Sequence, residues 1–222
     1  AMCYGGDPAA HLSGLACMHA ARQQIFFSTT ADQVRIAYAT TGAGMPLVKA
    51  ANWFSHVQLD WQNPVWRHWH AELGRDHTYY RYDRRGCGLS DWDVEQSFDG
   101  FYADIEAVVQ ASGLEKFVLF GWGHGGAVAT AYAARHAEKV SHLVLYGALA
   151  RGRRNRDPSS RQLDEIEMNL KLAELGWGGD DPAFQQFFTT QFMPDATSDQ
   201  MRAFSELQRA STSPQIADTK MQ

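Results

Sequence analysis

The chain has 222 residues, of which 45% are hydrophobic and 20% charged, and a formal net charge of −5. This length suits one domain with a sizeable core, and the composition is that of an ordinary globular protein. The charges are of mixed sign, which argues against a nucleic-acid partner, and no apolar run approaches the roughly 20 residues that cross a bilayer. We therefore expect a cytoplasmic protein with neither a nucleic-acid nor a membrane partner.

The three cysteines, Cys3, Cys17 and Cys87, have no spacing that suggests a disulfide framework or a metal site. We expect free thiols, no bound metal and no cofactor. Residues 1–20 show no strand or helix period and lack the charged start of a secretory signal. They are predicted to form an N-terminal extension that makes few contacts with the core.

Strand-like and helix-like segments alternate over residues 21–150, which predicts an α/β core with a mostly parallel central sheet and flanking helices. The strand-like segments are Ile25–Thr30, Arg35–Thr41, Pro46–Ala51, His77–Asp83, Phe117–Trp122 and His142–Leu149. The first two of these are expected to form a hairpin. Three helices are predicted between the later strands: one capped by Asn63-Pro64, one over Phe101–Val109 that ends at Gly113, and one over Gly125–His136.

The pattern changes after Arg151, where amphipathic helices replace strands. Helix-start signals are Asp157-Pro158, Asp181-Pro182 and the capping-box sequence Thr197–Gln200. We interpret residues 151–210 as a helical cap and residues 211–222 as a tail.

The strand over Phe117–Trp122 runs into the sequence Gly121-Trp122-Gly123-His124-Gly125-Gly126 and then into an alanine-rich helix. A strand, a G-x-S-x-G turn and a helix form the nucleophile elbow of α/β-hydrolases, where small residues flank a strained turn. In this register the nucleophile position is Gly123. The alternative register, with His124 in that position, would place Trp122 where a small residue is required.

A second motif, Asp83-Arg84-Arg85-Gly86-Cys87-Gly88-Leu89-Ser90, resembles the D-x-R-G-x-G-x-S turn of the same superfamily. The segment Val34–Trp92 resembles bacterial hydrolase domains that are fused to adenylate cyclases or LuxR-type regulators. Those domains are similar to esterases, proline iminopeptidases and haloperoxidase-like enzymes. The resemblance covers about residues 22–212 and implies the α/β-hydrolase fold.

The resemblance also implies the parts of a site. Gly123 and His124 take the catalytic positions, and the backbone N–H groups of His124 and Trp53 take those of the oxyanion hole. Asn52, Trp53, Phe54 and Trp122 are expected to line the substrate pocket. His136 and His142 are expected at the opposite end of the sheet from the elbow, so they do not replace a catalytic histidine.

Two departures from the family pattern predict weak or atypical activity. Gly123 has no hydroxyl, and the acid and histidine of the family follow the cap after two more strands, whereas few residues remain here after Arg209. Loss of the serine from a triad costs on the order of 10⁶ in turnover, while the oxyanion hole and pocket alone retain roughly 10³–10⁴ over water.

Two functions remain open at this point. The first is a carboxylic-ester hydrolase acting by acyl transfer on a small ester-like molecule, or a variant in which water polarised by His124, or recruited Ser55 and His56, replaces the serine. The second is a non-catalytic module that senses or binds a small molecule. We also expect a homo-oligomer, formed through the cap or through an exposed apolar edge over Leu143–Tyr146, because unpaired strand backbone invites association.

Overall fold

The computed structural model describes residues 22–149, 152–177 and 181–216. The predicted extension over residues 1–20 lies outside the described residues, as does the end of the predicted tail from residue 217 onward. The strands are β1 Gln24–Thr29, β2 Arg35–Thr41, β3 Met45–Ala50, β4 His77–Tyr82, β5 Phe117–Trp122 and β6 Val140–Tyr146. The helices are α1 Arg67–Arg75, α2 Phe98–Ala111, α3 Gly125–Arg135, α4 Ser160–Gly176, α5 Pro182–Thr190 and α6 Ser198–Ser211.

The six strands form one sheet in the order β1-β2-β4-β3-β5-β6. β1 and β2 pair antiparallel as the predicted hairpin, and β2 pairs antiparallel with β4. The pairs β4–β3, β3–β5 and β5–β6 are parallel. The expected α/β fold with a mostly parallel sheet is thus confirmed.

Helices cover the sheet on both faces. On one face, α2 and α3 supply buried apolar residues such as Ile105, Val108 and Tyr132, which pack against strand residues that include Val48 and Leu119. On the other face, Leu73 of α1 packs with the cluster of Leu47, Tyr79 and Phe120. Burial of apolar side chains on both faces is what a parallel sheet requires.

Strands β2 and β5 coincide with their predicted bounds, and β1, β3 and β4 differ from theirs by at most one residue at either end, whereas α1 and β6 differ further. The helix predicted to start at Asn63-Pro64 begins at Arg67, because Asn63 forms a separate turn in which its side chain accepts the N–H of Val65 at 2.9 Å. The strand predicted over His142–Leu149 instead spans Val140–Tyr146. It stops there because Gly147 has a φ of +56°, which strand backbone does not adopt.

The three helices predicted after Arg151 are present. α6 begins with the expected capping box, in which the Thr197 side chain accepts the N–H of Gln200 and the Gln200 side chain accepts the N–H of Thr197. The chain then returns to the core, because the N–H of Gly88 donates to the carbonyl of Ser211 at 2.8 Å. Within the described residues, no helix is long and apolar enough to cross a membrane.

β6 is an edge strand of the described sheet, as the sequence predicted. Its apolar residues are exposed to an unusual degree: 37% for Leu143, 48% for both Val144 and Leu145, and 54% for Tyr146. The edge therefore combines unpaired backbone with exposed apolar side chains.

Candidate active site

The candidate active site lies at the carboxyl ends of β3 and β5, which are neighbours in the sheet with Ala50 opposite Gly121. From β3 the chain passes through α1 to β4 on one side, and from β4 it passes through α2 to β5 on the other side. A reversal of this kind opens a crevice at the carboxyl ends of the two strands, which is where parallel sheets bind ligands. The loop Ala51–Phe54 and the turn at Gly123 therefore meet at this point.

Gly123 forms the turn between β5 and α3, with a φ of +53°. Its N–H donates to the carbonyl of Tyr146 at 3.1 Å, and its own carbonyl accepts the N–H of Gly126 at 3.1 Å. Glycine adopts this left-handed conformation without the steric cost that other residues incur. The sharp strand-to-helix turn predicted from the glycine pattern is thus present in the structure.

The small residues around the turn are required by close approaches of the backbone. A Cβ atom on Gly121 would lie 2.7 Å from the Cα atom of Gly126, and one on Gly125 would lie 2.7 Å from the carbonyl oxygen of Ala50. A Cβ atom on Gly126 would lie 2.2 Å from that of Ala148. The elbow is consequently packed tightly against both neighbouring strands.

The loop after β3 places the head group of Asn52 over the turn. A Cβ atom on Gly123 would meet Asn52 first, with Oδ1 at 3.3 Å and Nδ2 at 3.8 Å. The same Oδ1 accepts the N–H of Trp53 at 3.0 Å. The N–H predicted to bind an oxyanion therefore already donates to a carbonyl-type oxygen of the chain.

Aromatic rings enclose Trp53, which is buried. The imidazole of His124 stacks on the Trp53 indole with ring centroids 6.4 Å apart, and Phe192 also stacks on this indole at 5.8 Å. Trp177 meets it edge-on at 5.7 Å. Trp177 follows α4 and Phe192 follows α5, so the region after Arg151 contributes to the surroundings of the loop.

Phe54 and Trp122, which were also predicted to line the pocket, contact different parts of the chain. Phe54 packs edge-on against Phe204 of α6 at 5.7 Å. Trp122 is half-buried and packs against Trp66 at 5.1 Å and Trp69 at 5.0 Å. The sequence analysis missed Trp177, Phe192 and Phe204 as neighbours of the site, because their contacts join distant parts of the chain and no local pattern records them.

The two residues considered as replacement catalysts are engaged elsewhere. The Ser55 hydroxyl donates to the carbonyl of Tyr82 at 3.4 Å, and Nδ1 of His56 accepts the N–H of Leu59 at 3.4 Å. Burial lowers the pKa of His56, so its imidazole is neutral at pH 7. Both side chains thus have backbone partners, on β4 for Ser55 and within the same loop for His56.

Asp83 anchors this loop to the second motif. Its carboxylate accepts the N–H of Val57 at 2.9 Å and the N–H of Leu89 at 3.0 Å. Burial raises the pKa of Asp83 to about 7, and these two hydrogen bonds act in the opposite direction. The turn that follows β4 therefore positions the loop that follows β3.

His136 and His142 lie apart from the candidate site. The described residues contain no group of three or more His, Cys, Asp or Glu side chains placed to hold a metal ion. His142 pairs with Val118 near the start of β5, and His136 follows α3 and hydrogen-bonds the Tyr102 hydroxyl at 2.7 Å. As predicted from the sequence, both lie toward the end of the sheet opposite the elbow.

Comparison with known proteins agrees with this architecture. Residues 62–195, more than half of the chain, match the sequence profile described as the α/β-hydrolase fold. The chain belongs to the α/β-hydrolase family. It is 28% identical over 181 residues to the AB hydrolase superfamily protein YisY of Bacillus subtilis, an alignment that covers 75% of this chain and 62% of that protein.

Enzymes of several activities are among the relatives. A proline iminopeptidase of Neisseria gonorrhoeae is 37% identical over 75 residues, which is 29% of this chain and 22% of the enzyme. The crystal structure of an esterase from a Rhodococcus species superposes with a TM-score of 0.65 at 26% identity, covering 87% of this chain and 70% of the esterase. A bromoperoxidase from Bacillus anthracis has a TM-score of 0.66 at 21% identity, with 89% and 72% covered, which supports the fold alone. The chain spans about 62% or less of the length of these curated relatives.

Proposed function

We propose that this α/β-hydrolase chain is a carboxylic-ester hydrolase of low, atypical activity in which position 123 supplies no nucleophile. The observation that carries the proposal is the elbow itself: Gly123 adopts a φ of +53° between β5 and α3, directly beside the loop after β3. The resemblance of the fold to an esterase of a Rhodococcus species supports the substrate class.

The site has groups suited to an acyl oxygen that gains negative charge. The N–H groups of His124 and Trp53 belong to the turn and the loop, and backbone donors work whatever side chain they carry. The 11-residue helix α3 begins at the turn, so the positive end of its dipole lies beside the developing charge. These groups stabilise the oxyanion but do not form a bond to carbon.

In the proposed reaction, water takes the place of the serine. The water oxygen attacks the acyl carbon while the exposed His124 imidazole accepts one of its protons, which gives a tetrahedral oxyanion. Collapse of this intermediate breaks the bond to the alkoxide, which receives that proton and leaves as the alcohol. The carboxylic acid is the second product.

Turnover of p-nitrophenyl butyrate tests the proposal. We expect slow but enzyme-dependent hydrolysis that falls about 10²-fold or more in His124→Ala, the contribution typical of a general base. The matched control is His142→Ala, an exposed histidine near the far end of β5, which should leave the rate unchanged. Equal rates in the two variants would contradict the role of His124.

Introducing a hydroxyl at position 123 provides a second test. Gly123→Ser should not give the turnover of a complete triad, because the new hydroxyl would have no established histidine base and its Cβ would lie 3.3 Å from Asn52 Oδ1. A rise of 10⁴-fold or more in this variant would show that a functional base and acid are already in place.

The alternative function is ligand binding without chemistry, as in a sensing module. The lack of a hydroxyl at Gly123 favours it, since a ligand can bind beside the elbow while no nucleophile is present at that position. A ligand that raises the melting temperature, combined with no ester turnover above buffer, would support this alternative.

A further inference from the structure

The head group of Asn52 borders the space into which a side chain at position 123 would project. The three heavy atoms nearest to a Cβ built on Gly123 all belong to Asn52: Oδ1 at 3.3 Å, Nδ2 at 3.8 Å and Cγ at 3.9 Å. A glycine at this position leaves a gap in front of the turn, and the Asn52 carboxamide is the group that borders it.

The oxygen of this carboxamide accepts a hydrogen bond from the N–H group that is proposed to bind a ligand oxygen. Asn52 Oδ1 accepts the N–H of Trp53 at 3.0 Å, although Trp53 is the adjacent residue and the two groups belong to an irregular loop. An amide oxygen and an ester carbonyl oxygen are the same kind of acceptor. In the structure, Asn52 Oδ1 thus uses the Trp53 N–H donor that the acyl oxygen of a ligand would need.

We propose that Asn52 is an internal competitor of the ligand, whose carboxamide must leave the Trp53 N–H before a carbonyl or carboxylate can bind there. The proposal rests on the proposed function for the location of the site but not on turnover. Asn52 is half-buried, so its side chain has room to rotate toward solvent. It would thereby select ligands whose oxygen is a better acceptor than a neutral amide.

Two substitutions at Asn52 should change affinity in opposite directions. Asn52→Ala removes the competing acceptor, and since one neutral hydrogen bond contributes about 1 kcal/mol net, we expect binding to tighten about fivefold. Asn52→Asp places a charged and stronger acceptor on the same N–H, so binding should weaken about tenfold for an anionic ligand and less for a neutral one. A residue that merely supports the loop would weaken binding in both variants.

The measurement is a titration of ¹⁵N-labelled protein with butyramide and, separately, with butyrate, following the amide signals of Trp53 and His124. Gln58→Ala, which removes an exposed carboxamide from the same loop, is the matched control and should keep the wild-type affinity. The rate of hydrogen exchange at the Trp53 amide, measured without ligand, gives a second readout. This rate should be higher in Asn52→Ala than in the wild type.

The outcomes separate this inference from the proposed function. Tighter binding in Asn52→Ala together with weaker butyrate binding in Asn52→Asp supports the inference. The inference is also supported if Asn52→Ala binds the ligand while the wild type and Asn52→Asp show no detectable binding. Unchanged or weaker binding in Asn52→Ala, with Trp53 still shifted by the ligand, overturns it and leaves the proposed function intact. Absence of binding in every variant also overturns it, whereas the proposed function is decided separately by ester turnover.

Discussion

Replacing Gly125 by alanine should destabilise the protein, because this residue holds the elbow against the loop after β3. The added Cβ atom would lie 2.7 Å from the carbonyl oxygen of Ala50 and 2.8 Å from that of Ala51. Both contacts are with backbone, so no side chain can rotate away to relieve them. Alanine can enter only if α3 and the β3 loop move apart.

The expected loss follows from two opposing effects. Overpacking of this kind costs about 1–3 kcal/mol, whereas alanine in place of glycine favours a helix by up to about 1 kcal/mol. The first turn of α3 gains less than a helix interior, so the net loss should be about 1–2 kcal/mol. For a chain of this size that corresponds to a fall in melting temperature of roughly 2–8 °C.

Alanine variants of two other glycines separate the effect of the steric clash from the effects of backbone strain and of the glycine-to-alanine change itself. A Cβ atom on Gly113 or on Gly152 would meet nothing within 4 Å, but Gly113 has a φ of +62°. Gly113→Ala should therefore cost about 1–2 kcal/mol through backbone strain alone. Gly152→Ala has neither clash nor strain and should change stability by less than about 0.5 kcal/mol.

Urea denaturation of the three variants measures these losses, and amide chemical shifts identify their origin. Gly125→Ala should move the amide signals of Ala51, Asn52 and Trp53, whereas the other two variants should leave them in place. If Gly125→Ala were as stable as Gly152→Ala, with these signals unmoved, the close packing of the elbow on the loop would be refuted.

The charge of Asp83 and the edge strand β6 give two further predictions. With a folded pKa of about 7 against 3.8 for the exposed group, Asp83 lowers stability as pH rises from about 4 to 7 and has little further effect above pH 7, so the loss between pH 6 and pH 8 is about 1.4 kcal/mol. Asp83→Asn should remove this part of the pH dependence. Histidines with lowered pKa values act in the opposite sense in the wild type and in the variant alike, so the test is the difference between the two proteins in melting temperature as a function of pH. If the two plots of melting temperature against pH ran parallel, they would contradict the pKa shift of Asp83. The exposed residues of β6 should make the chain dimeric or larger at tens of micromolar, and Val144→Lys should shift it toward monomer while Phe27→Lys on the opposite edge strand does not. Light scattering that gives a mass near 24.8 kDa for the wild type would refute the association.

Much of the fold could be predicted from the sequence because its signals are local. The run Phe117–Trp122 is apolar throughout, as expected of a strand covered on both faces, and Gly113 marks the end of α2 with a φ of +62°. The C-terminal end of β6 was predicted wrongly because apolar residues continue to Leu149. Backbone conformation at Gly147, rather than side-chain pattern, ends that strand.

The backbone conformation at the candidate site was also predictable, since the spacing of the glycines at 121, 123 and 125 indicates the sharp turn. The neighbours Trp177, Phe192 and Phe204 were not predictable, because their contacts with the site join residues that are distant in sequence. Phe192 stacks on Trp53 only because the chain after Arg151 folds back over the β3 loop. The approach of Asn52 to Gly123 requires β3 and β5 to be neighbours, which the order of the strands along the chain does not reveal and which only the family resemblance implied.

The position of Asn52 also bears on what the glycine at 123 does in this chain. A side chain at 123 with the observed φ of +53° would be strained, and its Cβ would lie close to the Asn52 carboxamide. Glycine avoids the strain and leaves Oδ1 of Asn52 within reach of the Trp53 N–H. The elbow and the loop therefore fit each other as they stand, and a catalytic side chain at 123 would require both to adjust.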